Sequence, residues 1–247
     1  MINTDDEYGK KLYLKYIDKS YSVSCFEKSD YYAREIECDE NGCKFVFDFN
    51  YGNLYITSEI CGKFAVNNAL MAVSVAKILG INEKSIINGI FNVKRIKGRL
   101  EKFKNKSIYI DYAHTPLATK LVLESIKEIE KNKRIIVLFG CGGDRDKTKR
   151  SEIGRICSKY ADVLIITSDN SRKEDPMEII KDILVGVDKD KVHLIIPSRK
   201  DAILCGVKML NNDSVLILLG KGHENYEIDK NGKHFFDERL IIEEAFK

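Results

Sequence analysis

The sequence predicts an α/β protein: a doubly wound parallel sheet over 105–247, preceded over 1–104 by a smaller β-meander with helices. Three observations predict it. Five apolar runs, each too short for a helix, recur at 107–113 (SIYIDYA), 134–140 (RIIVLFG), 162–168 (DVLIITS), 192–198 (VHLIIPS) and 214–220 (SVLILLG). Amphipathic segments at helical spacing lie between them, at 117–131, 147–160, 176–187 and 200–211. The runs are apolar throughout rather than alternating, as strands covered on both faces are. Buried strands alternating with helices make a parallel sheet with crossover connections.

The earlier part reads differently. Runs at 21–25 (YSVSC), 34–38 (REIEC), 44–49 (KFVFDF) and 53–60 (NLYITSEI), with turn signals at 39–42 and 50–52, predict an antiparallel meander. The period then changes. Residues 64–79 are rich in Ala, Val and Leu without Pro or Gly, and Gly80 closes the segment as a helix C-cap does. A second helix is predicted over 83–92 and a last one over 238–246. No repeat at solenoid periods is present.

Composition narrows the function classes. The 247 residues carry 41 Lys+Arg against 38 Asp+Glu and are 44% hydrophobic, which suits one large core or two ordinary ones. A net charge of +3 from so many ions of both signs gives no basic field for nucleic acid. No run approaches the roughly 18–20 apolar residues of a membrane span, and the start, MINTDDEYGKK, is too polar for a signal peptide. The seven cysteines (25, 38, 43, 61, 141, 157, 205) are odd in number, scattered and without a CxxC pair. Zinc is therefore disfavoured, and reduced thiols in a cytoplasmic protein are the expectation.

Open α/β sheets bind ligands at the carboxyl ends of their strands. After the first apolar run come Asp111-Tyr112-Ala113-His114-Thr115-Pro116; after the second, Gly140-Cys141-Gly142-Gly143-Asp144-Arg145-Asp146. The third gives Ser168-Asp169-Asn170-Ser171-Arg172, the fourth Ser198-Arg199 and the fifth Gly220-Lys221-Gly222-His223-Glu224. Each group alone has a structural reading. Asp111 serves as a cap, His114 as a packed loop residue, the glycines as a tight turn, Asp169-Asn170 as an Asx turn, and Lys221 with Glu224 as a solvated pair. Such a concentration at one sheet edge is better explained by a site. No GxxxxGK[ST] P-loop occurs, and Arg145 stands where GxGxxG would need its third glycine, so a nicotinamide-type dehydrogenase is disfavoured. No GxSxG elbow or HExxH is present.

At these same residues the sequence resembles the Mur ligase family, its MurE (tripeptide synthetase) type most of all. The segments that carry the resemblance are IDYAHTP (110–116), FGCGGDRDKTKR (139–150), TSDNSRKEDP (167–176), GKGHE (220–224) and HFFDER (234–239). Upstream, NTDDEYG (3–9), GKFAVNNAL (62–70) and KGRLE (97–101) follow the family order. The match spans essentially the whole sequence. It corresponds to the later part of the family's central ATPase domain plus its Rossmann-like C-terminal domain. The GTNGKT-type P-loop, the magnesium ligands and the carbamylated lysine of the family lie in the part that precedes the match.

The resemblance implies two clusters. Asn68, Arg99, Asp111 and His114 match positions that contact ATP, with Asp111 toward ribose hydroxyls, Arg99 by the phosphates and His114 as a charge stabiliser and the catalytic candidate. Ala65 stands where the family has an adenine-contacting asparagine. Arg145, Asn170, Arg172, Gly220 and Glu224 match positions that grip the incoming amino acid. The family's DNPR form goes with meso-diaminopimelate; here it is DNSR, with the arginine kept and Ser171 in place of proline. The implied reaction is ATP- and Mg2+-dependent addition of meso-diaminopimelate to UDP-N-acetylmuramoyl-L-alanyl-D-glutamate through an acyl phosphate. The isolated chain is expected to need a separate P-loop-bearing half. The alternatives are an L-lysine-adding synthetase, an amino-acid-binding module without chemistry, or a folylpolyglutamate or cyanophycin synthetase, the last disfavoured by DNSR with GKGHE.

Overall fold

The computed structural model describes residues 1–247, which form two compact units, Met1–Arg95 and Ile96–Lys247. The sequence reading places the change near 104. The strand β6 (Glu101–Lys102), too short to give an apolar run, pairs within the second sheet and carries its preceding segment with it.

The first unit holds β1 (Ile2–Asn3), α1 (Glu7–Lys15), β2 (Ser22–Ser24), β3 (Tyr31–Asp39), β4 (Gly42–Phe49), β5 (Gly52–Ser58), α2 (Lys63–Ile78) and α3 (Glu83–Phe91), with its strands in order β1-β2-β3-β4-β5. The antiparallel meander is confined to β3, β4 and β5; β2 pairs with both β1 and β3 in parallel. Asp30 explains the reversal. Its Oδ2 accepts from the Ser22 N–H (2.8 Å) and from the Ser22 hydroxyl (2.7 Å), doubling residues 25–30 back so that Tyr31 lies beside Val23 in the same direction. Val66, Ala69, Leu70 and Val73, at helical spacing on α2, pack with Val23, Phe45, Phe47, Leu54 and Ile56 of the sheet. Gly80, at φ 75°, follows the end of α2.

One expectation fails here. Cys38 and Cys43 are joined in a disulfide, so not all seven cysteines are thiols. The β3–β4 hairpin sets the two residues directly opposite one another, with their Cα atoms 4.2 Å apart.

The second unit continues from β6 with β7 (Ile108–Asp111), α4 (Pro116–Ile129), β8 (Arg134–Phe139), α5 (Thr148–Tyr160), β9 (Val163–Ile166), α6 (Pro176–Leu184), β10 (His193–Ile195), α7 (Arg199–Lys208), β11 (Ser214–Leu219), β12 (Tyr226–Asp229), β13 (Gly232–Phe235) and α8 (Glu238–Ala245). The main sheet has the order β10-β9-β8-β11-β7-β6, parallel apart from β6. Helices α4, α5 and α6 pack in series, as do α7 and α8, which gives a doubly wound sheet. Ile108, Ile110, Ile136, Leu138, Val163, Ile165, Leu216 and Leu218 pack with Ala202, Ile203 and Val207 of α7 and with Ile241 and Ile242 of α8. The residues between them face the other way. The fourth run, expected to be covered on both faces, is the edge strand β10, and all three of its residues are exposed. Thr115, Asp175, Ser198 and Asp237 cap α4, α6, α7 and α8, with Pro116 and Pro176 in the first turns of α4 and α6.

Because β11 lies between β7 and β8, and β9 flanks β8, four chemistry-bearing strand ends are neighbours in space. The hairpin β12–β13 follows directly from the segment after β11.

Candidate functional site

Within the second unit, His114, Arg145, Asn170, Arg172, Gly220 and Glu224 line one cavity of about 280 Å³, together with Tyr112, Gly142, Lys149 and Asp169. Every amino-acid-gripping candidate named from the sequence is on this wall. Three cations (Arg145, Lys149, Arg172) and two acids (Asp169, Glu224) face a common space, as recognition of a zwitterion requires.

Asn170 is the hub. Its Oδ1 accepts from Lys221 Nζ (3.0 Å) and from the Ile228 N–H (3.0 Å), and its Nδ2 donates to Glu224 Oε2 (2.9 Å). The other Glu224 oxygen accepts from the Tyr226 hydroxyl at 3.0 Å. Arg172, at φ 53°, donates through Nη1 to Gly143 O (2.9 Å) and Asn170 O (3.2 Å), so it ties the glycine-rich turn after β8 to the loop after β9. The Gly143 N–H donates back to Asn170 O at 2.9 Å. Arg145 is exposed and donates only to Asp144 O (3.3 Å), leaving its guanidinium fork for a ligand.

Gly220 sits at φ 112°, and a Cβ there would come 2.5 Å from Asp169 Oδ2. Only glycine permits both the backbone turn and the approach of that carboxylate. Gly98 is required for a similar reason: a Cβ would collide with the Gly222–His223 backbone, which brings the 97–101 segment against the strand end of β11.

On the other side, Asp111 is buried. Its oxygens accept from the Leu100 N–H (2.6 Å) and the Ala113 N–H (2.7 Å), and burial raises its carboxyl above the ordinary value against the pull of those bonds. It does not line the cavity, but each oxygen keeps a further lone pair. The Arg99 guanidinium lies over the Tyr112 ring at 4.8 Å, and the His114 ring meets the same ring edge-on at 4.7 Å. His114 Nδ1 is 2.8 Å from Tyr112 O. A carbonyl only accepts, so Nδ1 carries the proton and Nε2 is left for a ligand. Lys149 Nζ donates to His114 O at 3.1 Å and holds this loop against α5. Asn68 lies exposed on α2 of the first unit, and Ala65 is buried on the same helix.

Three buried cations support the site, and sequence reasoning assigned none of them a role. Arg150 bonds Glu174, Asp182 and Gly142 O, fixing the glycine-rich turn. Arg199 donates to Glu238 Oε1, Ser168 O (3.0 Å) and Leu219 O (2.8 Å), joining the ends of β9 and β11. Lys221 is fully buried, so the solvated-pair reading of Lys221 with Glu224 does not hold. Arg199 and Lys221 stand in the strand-end groups, and Arg150 and Lys221 in the family segments, but neither signal tells how deep a cation lies. A charged residue next to a site reads the same whether it points outward or inward.

The comparisons with known proteins agree along the whole chain. A family model described as "Mur ligase, glutamate ligase domain" matches residues 98–222, and one described as "Mur ligase middle domain" matches 1–76. The chain is 37% identical over 252 residues to the UDP-N-acetylmuramoyl-L-alanyl-D-glutamate–2,6-diaminopimelate ligase 1 of Clostridium acetobutylicum, covering 100% of this chain and 52% of that protein. It is 39% identical over 254 residues to the corresponding ligase of Clostridioides difficile, with 99% and 52% covered. A solved structure of a ligase of the same description superposes with a TM-score of 0.65 at 28% identity, over 98% of this chain and 52% of that one. The chain thus spans about half the length of the relatives it matches.

Proposed function

Because the chain belongs to the Mur ligase family, we propose that its second unit holds the incoming amino acid in an ATP-dependent amide ligation, the addition of meso-diaminopimelate to UDP-N-acetylmuramoyl-L-alanyl-D-glutamate. The observation that carries the reading is the single cavity in which Arg145, Arg172, Asn170 and Glu224 stand together. The far end of diaminopimelate presents a carboxylate and an ammonium. A guanidinium fork answers the first, and the Glu224 carboxylate with the Asn170 amide beside it answers the second. L-Lysine has no far carboxylate and would leave the exposed Arg145 guanidinium without a ligand partner. Relatives named for 2,6-diaminopimelate support the same amine.

ATP with magnesium supplies the phosphoryl group that activates the D-glutamate side-chain carboxylate as an acyl phosphate. These residues include neither a phosphate-cradling loop nor a metal site: no P-loop occurs, and no three His, Cys, Asp or Glu side chains come together to hold an ion, so Arg99 and His114 can only flank the phosphates. We assign that grip to polypeptide outside these residues, in the same chain or on a separate half. What this chain contributes is position. With one end of diaminopimelate fixed at Arg145, Arg172 and Glu224, its other amine is held for attack on the activated carboxyl carbon, and holding reactants in register removes much of the barrier. On the nucleotide side, Arg99 and His114 are assigned to the phosphates and Asp111 to the ribose; Asn68 is assigned to ATP by the resemblance alone. ATP and a nucleotide-linked precursor place the reaction in the cytoplasm.

A ligation assay read by mass spectrometry tests this. The chain is supplied with ATP, magnesium, the UDP-linked dipeptide and either amine, with and without the P-loop-bearing part of a relative added in trans. Product is expected only in trans and only with diaminopimelate. Product with L-lysine instead would overturn the assignment of the amine.

A further inference from the structure

We infer that Lys221 is a positioning residue: its buried ammonium sets the orientation of the Asn170 amide and, through it, the arrangement of Glu224 that receives the ligand's ammonium. This rests on the reading of the cavity as an amino-acid site and adds to it a residue that touches no ligand.

An asparagine amide has two ends of nearly equal size, and a site that reads an ammonium beside a carboxylate depends on which end faces it. Here two donors, Lys221 Nζ and the Ile228 N–H, converge on one side of the Asn170 side chain. Only the oxygen can face two donors, so the NH2 group must point to the other side, at Glu224 Oε2. Of those two donors the backbone N–H is fixed by β12, and Lys221 is the one a side-chain change can remove.

Lys221 has no exposed surface; its second hydrogen bond goes to Tyr226 O (2.9 Å), and the Phe236 ring lies 5.6 Å away. Asp169 Oδ1 and Glu224 Oε2 lie at 3.6 and 3.9 Å, so one cation also balances the two acids of the cavity. Burial pushes the ammonium below its ordinary value, and the Asp169 carboxylate pulls it back up. The geometry is over-determined around one atom, Asn170 Oδ1, which is what a fixed recognition group needs.

The test uses the whole chain and the variants Lys221→Met, Asn170→Ala, Asn170→Asp and the double variant Lys221→Met/Asn170→Ala. In the unliganded chain, the 1H–15N side-chain signals of Asn170 are expected to be dispersed and to collapse toward averaged positions in Lys221→Met. Backbone signals of the first unit should stay in place. Unchanged Asn170 signals would overturn the proposal. In titrations with meso-diaminopimelate, Lys221→Met is expected to weaken binding about tenfold or more, as when a buried polar group loses its partner. The same change made on Asn170→Ala should then cost almost nothing further. Equal losses in both backgrounds would mean that Lys221 does not act through Asn170 and would overturn the inference. If Lys221→Met does not fold, Asn170→Asp decides, because it keeps the acceptor for Lys221 and removes the donor to Glu224. Wild-type affinity in that variant would contradict the inference. Absence of diaminopimelate binding by the wild-type chain would contradict the amino-acid reading of the cavity, while the amide signals would still decide the role of Lys221.

Discussion

Glu174 accepts from the Arg150 guanidinium and from the Asp144 N–H, and the Arg150 bonds above all hold its carboxyl down to about 2. A depressed acid contributes stability above its unfolded value, roughly 4.3, and loses it as pH falls through the folded one. The glycine-rich turn is therefore expected to loosen between roughly pH 4 and pH 2. An NMR titration of the Glu174 side chain should find its midpoint near 2, and a midpoint above 4 would contradict the bonding described. Beside it, burial pushes the Cys141 thiol up to about 12, so alkylation of Cys141 at neutral pH should be negligible until the chain unfolds. Gly220→Ala tests the backbone directly. Positive φ and the approach of Asp169 predict a loss of more than about 1 kcal/mol in denaturant unfolding, together with weakened amino-acid binding. At this scale the sequence was informative about side chains with one purpose. Arg145, Asn170, Arg172 and Glu224 were legible because the strand-end rule and the family motifs both pointed at them. The burial and bonding of Lys221, Arg150 and Arg199 were not legible, because burial of a cation depends on partners distant in sequence.

Strands and helices were legible where periodicity is long and unbroken. The β7, β8, β9 and β11 runs and the helices between them satisfy local propensity, pattern and capping at once. Where a single side chain decides the path the pattern is silent, as at Asp30, which turns β2 parallel to β3, and at the exposed edge strand β10. The hairpin β12–β13 likewise has little apolar signature, because its residues are partly or fully exposed. Its function is positional: the Ile228 N–H fixes Asn170 and Ile228 O accepts from the Arg172 N–H. The ends of β9 and β11 depend on the fully buried Arg199–Glu238 pair. Arg199→Met strands the Glu238 charge and is expected to cost about 3–5 kcal/mol. Arg199→Met with Glu238→Leu should recover most of it in thermal unfolding, and failure to recover would show that the carbonyl contacts of Arg199 dominate.

As a whole, the chain is two units with separate cores, and its boundary matters for what folds. Leu100 and Phe103 are buried in the second unit, and Glu101 pairs with Arg239, partly through Nε at 3.0 Å. Residues 96–247 are therefore expected to unfold in one sharp transition, whereas residues 107–247, which lack β6, Leu100 and Phe103, should melt several degrees lower. Equal melting of the two would remove the 96–106 segment from the unit. The family and the fold class were readable from the sequence, because they rest on motifs spread along the chain in a fixed order; the same motifs named the candidates that line one cavity. How the cavity holds its charges was not, since that depends on which side chains point inward. The central claim is that this cavity reads the carboxylate and the ammonium at the far end of a diamino diacid whose near amine reacts. A calorimetric titration of the chain with meso-diaminopimelate and, in parallel, with L-lysine tests it most directly. Saturable binding of diaminopimelate, about tenfold or more tighter than L-lysine and lost in Arg172→Ala, is the predicted result. Equal affinity for the two amines, or binding indifferent to Arg172, would contradict it.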